Sequence, residues 1–225
     1  MLVAGVDEAG RGPVLGPLVL CAFAVAESEQ QHLKKMGVRD SKMLSEVQRE
    51  KLREKLEGVG EFVVKKISAE ELTQLMRKKI SLNEIEARSI SEMLRELGGK
   101  KTLERVYVDS PDPVASKFEK RIRKYFDHEF QIVCEHKADV RYPVVGAASI
   151  IAKTERDAEI EEIKNFLRDR GVEDCDFGSG YSHDKRTIGF LKKYHSLPLL
   201  QPFIRHQWDT AKKLKFTQLE LAKYF

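Results

Sequence analysis

Three cysteines in 225 residues, Cys21, Cys134 and Cys175, are too few and too widely spaced for a disulfide scaffold. There is no Cys-x-x-C, and the six histidines include no His-Glu-x-x-His, which removes both zinc patterns. No apolar stretch approaches the roughly 18 residues of a membrane span. No basic segment leads into an apolar run at the N-terminus, as a secretory signal would require. These absences predict a reduced, cytoplasmic protein that does not engage a membrane. Asparagine is scarce, at two residues, and charge is abundant, a leaning toward heat stability. No internal repeat and no low-complexity linker interrupts the chain, and nothing points to an obligate oligomer, so a monomer is expected.

What is present describes a globular chain. Hydrophobic residues make up 41% and charged residues 34%, and the length suffices for one domain with an appendage. The net charge of +4 is unevenly spread: residues 181–225 hold nine Lys/Arg against three Asp/Glu. Eight of the 18 aromatics fall there too, including Tyr181, Phe190, Tyr194 and the single tryptophan, Trp208. A basic, aromatic-rich segment suits a nucleic-acid face. It equally suits a solvated helical surface over an aromatic core.

Apolar, β-branched runs predict strands over 2–7, 18–26, 61–68, 103–109 and 129–136. Helices between them are announced by capping boxes. Ser45-x-x-Gln48 opens 46–57, Ser68-x-x-Glu71 opens 69–76, and Ser81-x-x-Glu84 opens 82–97. A long amphipathic helix is expected over 144–170, starting in the small residues Gly146-Ala147-Ala148, and another over 184–194. The short connection between the first two strands implies antiparallel pairing, and the helical crossovers later in the chain suit parallel addition. The class is therefore α/β, a mixed sheet flanked by helices with a C-terminal helical region.

The most informative residues are the first eighteen. The apolar run Leu2–Val6 ends in adjacent acids, Asp7-Glu8, followed by Ala9-Gly10-Arg11-Gly12-Pro13 and Gly16-Pro17. Adjacent acids at a strand end are costly unless their charge is compensated, most simply by a divalent cation. Glycines let a backbone approach a ligand closely, and their N–H groups suit a phosphate. Metal, phosphate and arginine together suggest phosphoryl-transfer chemistry. A polar hairpin would use similar residues. A dinucleotide loop fits less well, because Gly16 falls one residue late for Gly-x-Gly-x-x-Gly and two carboxylates flank the place of a pyrophosphate.

This block resembles the opening signature of the ribonuclease HII family, and the resemblance continues over about residues 3–205. Arg105-Val-Tyr-Val-Asp109-Ser-Pro111 supplies a third acid at a strand end, and His136-Lys-Ala-Asp139 through Ser149-Ile-Ile-Ala-Lys153 matches a second signature. The resemblance implies a ribonuclease H-like five-stranded mixed sheet ordered 3-2-1-4-5, which makes strands 1 and 4 neighbours and sets Asp109 beside Asp7. It implies a metal-dependent endonuclease that hydrolyses RNA in RNA–DNA hybrids and cuts 5′ of a ribonucleotide embedded in duplex DNA, leaving 3′-hydroxyl and 5′-phosphate ends. The expected cofactors are two Mg²⁺ or Mn²⁺ ions held by Asp7, Glu8, Asp109 and Asp139, with Asp7 shared between them. Such a pair activates a water, neutralises the phosphate and stabilises the leaving alkoxide.

The same resemblance assigns the ribose 2′-hydroxyl to the Gly10-Arg11-Gly12 turn and to Tyr181 in Phe177-Gly-Ser-Gly180-Tyr181-Ser182. The family usually has proline after this tyrosine, and this chain has Ser182. Asp40-Ser41-Lys42 matches a short family motif and makes Lys42 a candidate phosphate contact, as are Ser149 and Lys153, one helical turn apart. Gln218-x-x-Leu221-x-x-Tyr224-Phe225 completes the pattern of a box that binds a sliding clamp (PCNA), an apolar plug for a groove that suggests the archaeal form of the family. A terminal helix packing on its own core would read the same way. The expected division is a catalytic domain over 1–175, a helical substrate-binding region over 176–215 and a clamp-binding tail over 216–225. Competing functions are another nuclease or strand transferase on this fold, and a non-catalytic binder of hybrids or of the clamp.

Overall fold

A computed structural model describes residues 1–38, 44–98, 103–125 and 129–214. Lys42 and the tail residues Gln218, Leu221, Tyr224 and Phe225 lie outside the described residues. Strands β1 (Leu2–Ala9), β2 (Leu18–Ala26), β3 (Glu61–Ile67), β4 (Leu103–Asp109) and β5 (Gln131–Glu135) form one sheet in the order β3-β2-β1-β4-β5. Strand β1 pairs antiparallel with β2 and parallel with β4, and β4 pairs parallel with β5. The mixed sheet and its strand order are those expected.

The helices are α1 (Gln30–Lys35), α2 (Glu46–Glu57), α3 (Ala69–Arg77), α4 (Leu82–Gly98), α5 (Ala115–Tyr125), α6 (Ala138–Arg141), α7 (Pro143–Arg168) and α8 (Lys185–Tyr194). Helix α2 keeps its expected bounds because both halves of its capping box form, Ser45 accepting from the Gln48 N–H and Gln48 from the Ser45 N–H. At α4 only half of that logic operates. Ser81 accepts from the Glu84 N–H, while the Glu84 carboxylate binds Arg121, Lys124 and Tyr125 of α5. These partners hold its pKa down at about 2. The residue read as a local cap is thus a tertiary tie between two helices. Helix α6 was not foreseen: four residues give no periodicity, and it begins after Lys137, which has φ 58°.

Contacts divide the chain into two compact units. The first comprises Met1–Ala9, Val19–Lys66 and Ser81–Glu155, and the second Gly10–Leu18, Ile67–Ile80 and the chain from Arg156 onward. Each has its own core. In the first, Val19, Phe23 and Val25 of β2 belong with Val144, Val145, Ala148 and Ile151 of α7 to one buried apolar cluster. Strand β1 is buried along most of its length, as a central strand covered on both faces must be. Gly5 lets α7 come down onto it: a β-carbon there would stand 2.3 Å from the Val144 carbonyl carbon. In the second unit, Val14 and Leu15 pack with Ile160, Ile163, Phe177, Phe190, Leu191 and Leu200. Among the described residues no helix is long and apolar enough to cross a membrane.

Candidate active site

In the first unit, strand register brings acids to one sheet edge. Val6 of β1 is paired with Val108 of β4, so the next residues, Asp7 and Asp109, leave two neighbouring parallel strands side by side. Asp109 is in turn paired with Glu135 at the end of β5. Asp7 is 6% exposed. Its carboxylate accepts from the Glu8 N–H at 2.8 Å. Burial and, to a smaller degree, the Asp109 charge raise its pKa to about 7, against the Ser149 hydrogen bond and the Lys153 charge.

Helix α7 supplies those two opposing groups. The close approach at Gly5 seats its first turns on β1, and Ser149 is fully buried. Lys153, one turn further, donates from Nζ to Ser149 Oγ at 2.7 Å. The two residues read as phosphate contacts are therefore engaged with Asp7 in this structure. Asp109 accepts from the Ala138 N–H at 2.9 Å and so holds the start of α6. Asp139, 2% exposed, accepts from the Val140 N–H at 3.0 Å. Glu8 is half-buried on β1, paired with Leu20.

Hard oxygen donors are what Mg²⁺ and Mn²⁺ take. A buried carboxylate pushed toward neutral pH beside a second acid is a pair whose charge the protein compensates poorly, so this donor set fits a hard divalent cation. Among the described residues no group of three or more His, Cys, Asp or Glu is gathered closely enough to hold an ion. The Asp7–Asp109 pair is in electrostatic contact.

The second unit holds the glycine-rich turn. Gly10 has φ +76°, a conformation glycine adopts without strain, and a β-carbon there would meet Arg156 Nε at 2.5 Å. The turn is held by Arg205, a fully buried residue that sequence reasoning passed over. Its guanidinium donates to the carbonyls of Gly16 at 2.8 Å, Arg11 at 3.0 Å and Gly10 at 2.6 Å. Its backbone N–H donates to the Val14 carbonyl. With those carbonyls drawn inward, Gly12 lies exposed at the tip of the turn.

Tyr181, far along the chain, lies beside this tip. A β-carbon on Gly12 would be 3.4 Å from Tyr181 Cε1, so the ring lies beside the turn, across the space a side chain at Gly12 would fill. The loop before the ring is anchored at several points. The Gly180 carbonyl accepts from Val14 N–H at 2.8 Å, and the Gly180 N–H donates to Thr187 Oγ1 at 3.0 Å. Asp184 caps α8 and also accepts from the Ser179 N–H and hydroxyl, contacts that lower its pKa to about 2. A Tyr181–Asp184 turn closes with a 3.1 Å backbone hydrogen bond. These bonds fix the loop at Ser182.

A mixed five-stranded sheet with paired acids where its central parallel strands end is the architecture of a ribonuclease H-like nuclease. The ribonuclease HII family model matches residues 4–211. The chain is 43% identical over 226 residues to the ribonuclease HII of Pyrococcus abyssi, covering 99% of this chain and 96% of that protein. It is similar to the crystal structure of the ribonuclease H2 from Pyrococcus horikoshii OT3, with a TM-score of 0.81 and 38% identity over 96% of this chain and 98% of that one. It is also similar to ribonuclease HII in its complex with PCNA from Archaeoglobus fulgidus, with a TM-score of 0.80 and 38% identity over 93% and 96%. The chain belongs to the ribonuclease HII family, and is a metal-dependent endoribonuclease.

Proposed function

We propose that this chain hydrolyses the RNA of RNA–DNA hybrids and cuts duplex DNA on the 5′ side of an embedded ribonucleotide, leaving 3′-hydroxyl and 5′-phosphate ends. The observation that carries the second activity is the placing of the Tyr181 ring beside Gly12 at an exposed turn. A reader of one ribose needs a small, fixed recess lined by backbone donors and one flat face. The N–H groups of Gly10, Arg11 and Gly12 would supply the donors, and the ring would supply the face. Removal of misincorporated ribonucleotides and of primer remnants is the cellular work this selectivity suits.

Asp7, Glu8, Asp109 and Asp139 would hold Mg²⁺ or Mn²⁺, two ions during the reaction. When bound, such ions make a water nucleophilic at neutral pH and offset charge on the phosphate and the leaving oxygen. Asp7 would give up its proton to serve as the shared ligand, and Ser149 and Lys153 would release it to contact phosphate. Lys42 would add a further phosphate contact. Residues 1–175 would then act as the catalytic domain and 176–215 as the substrate-binding region, with the protein working as a monomer. The tail 216–225 would dock on a sliding clamp through Gln218, Leu221, Tyr224 and Phe225, a partner like the PCNA held by the Archaeoglobus fulgidus protein.

The test is cleavage, with Mg²⁺, of a DNA duplex holding one ribonucleotide beside the all-DNA duplex. Cutting only the first, and none once the 2′-hydroxyl becomes fluorine, is expected. Tyr181→Ala should lose more on this substrate than on a continuous hybrid. Comparable cutting of the all-DNA duplex overturns the reading. For the tail, Tyr224→Ala with Phe225→Ala should weaken clamp binding by about 30-fold or more and leave clamp-free cleavage unchanged.

A further inference from the structure

Arg156 lies on α7, 6% exposed, and among the described residues it has no carboxylate partner in an ion pair. A buried cation without an ion pair is costly and calls for a reason. Its hydrogen bond, its ring contact and its approach to a glycine fall on the two pieces of the proposed ribose reader. Nη2 donates to the Ser179 carbonyl at 2.7 Å, immediately before Gly180-Tyr181. The guanidinium carbon lies 5.4 Å from the Tyr181 ring centroid, within cation–π range. Its Nε and Cδ occupy the space a β-carbon at Gly10 would take, at 2.5 and 2.6 Å. That Nε is buried and finds no hydrogen-bond acceptor among the described residues. One side chain therefore touches the turn, the loop and the ring, at a cost in unsatisfied hydrogen bonding that simple packing would not demand.

We propose that Arg156 is a positioning residue for ribonucleotide recognition, which sets the Tyr181 ring against the Gly10–Gly12 turn. Arg156 acts through Tyr181 and does not itself touch the ribose. The planar guanidinium is needed for this, since it donates in its plane while presenting a face to the ring. Lysine keeps charge and stem but cannot do both. Displacement of a recognition group by about 1 Å can cost up to about 100-fold in rate.

The inference rests on the proposed role of Tyr181, and a double-mutant cycle separates the two. Arg156→Lys, Arg156→Met, Tyr181→Ala and the combination Arg156→Met/Tyr181→Ala are compared on a single-ribonucleotide duplex and on a continuous hybrid. Thermal midpoints are measured in parallel, and assays are run well below the lowest. Arg156→Met should lose about 10- to 100-fold on the single-ribonucleotide duplex, chiefly in kcat, and much less on the hybrid. The double variant should be no worse than Tyr181→Ala alone, because the first change removes what the second acts through. Arg156→Lys should show the same selectivity with a smaller loss, and carries the test if Arg156→Met does not fold. Additive losses, or equal losses on both substrates, assign Arg156 a merely structural role and overturn the inference while leaving Tyr181 its own. Should Tyr181→Ala show no selectivity, the recognition reading and this inference fall together.

Discussion

The two compact units bury charge in opposite ways. In the first, a sheet edge collects negative charge, and Asp7 sits buried with its pKa raised to about 7, opposed by Ser149 and Lys153. In the second, two arginines are buried, and backbone carbonyls answer them. Arg205 takes three such carbonyls from one turn, and Arg156 takes one from the loop before Tyr181. A buried acid beside a second, half-buried one leaves a need that a cation would meet. Buried arginines satisfied by carbonyls hold a turn and a loop in fixed positions. The first arrangement suits the chemistry of a phosphodiester, the second the proposed reading of a hydroxyl.

The contrast breaks most sharply at Asp7. Asp7→Asn should reduce metal-dependent cleavage by about 10³-fold or more, roughly 4 kcal/mol in barrier height. The fold should persist, since a neutral amide removes repulsion with Asp109. Single-turnover rates at saturating Mg²⁺ and a circular dichroism spectrum check both halves; a near-normal rate removes Asp7 from the chemistry.

At Arg205 the expected damage is to stability first. Arg205→Met strands the buried carbonyls of Gly10, Arg11 and Gly16, and should cost about 3 kcal/mol or more. Urea unfolding measures it. A loss below about 1 kcal/mol would mean that water replaces the guanidinium and that the turn does not depend on it.

Gly5→Ala tests the seating of α7 on β1, where the added carbon would meet backbone and not a movable side-chain tip. A cost of about 2 kcal/mol is expected. Cleavage should fall with it, since Ser149 and Lys153 ride on the displaced helix. Full activity in a destabilised variant would separate packing from chemistry at this contact.

The smallest effect is a pH dependence in chelator. Asp7 holds its proton more tightly folded, with a pKa of about 7, than unfolded, near 3.8. Its contribution to stability is therefore complete below about pH 4 and lost as pH rises toward 7. Relative to Asp7→Asn, the metal-free protein should lose stability across that window and then level off. Denaturant midpoints of the two proteins at several pH values supply the measurement, and a constant difference would place the Asp7 pKa in the ordinary carboxylate range.

The strands and most of the long helices were legible in the sequence, because an apolar run and a capping box are local. Asp7 and Asp109 could be paired once strand order was supplied, since strand register is regular and each residue directly follows the apolar part of its run. Arg205 and Arg156 were invisible for the opposite reason. Arg205 acts on carbonyls 189 to 195 positions away in the chain, and a carbonyl belongs to every residue, so no pattern of residue types marks the pair. Glu84 shows the same limit at short range, for its N–H obeyed the cap while its carboxylate went to another helix.

The sequence by itself determined the class of fold, the acids at strand ends and the glycine turn, because periodicity, capping and residue chemistry act over a few neighbours. Only the tertiary structure decided which groups meet those residues. Gly5 seats Ser149 and Lys153 by letting a helix approach β1, Arg205 draws the turn's carbonyls inward, and Arg156 faces the Tyr181 ring. Each depends on burial, where a charge or an unpaired carbonyl is too costly to leave alone and must find whatever partner the packing brings.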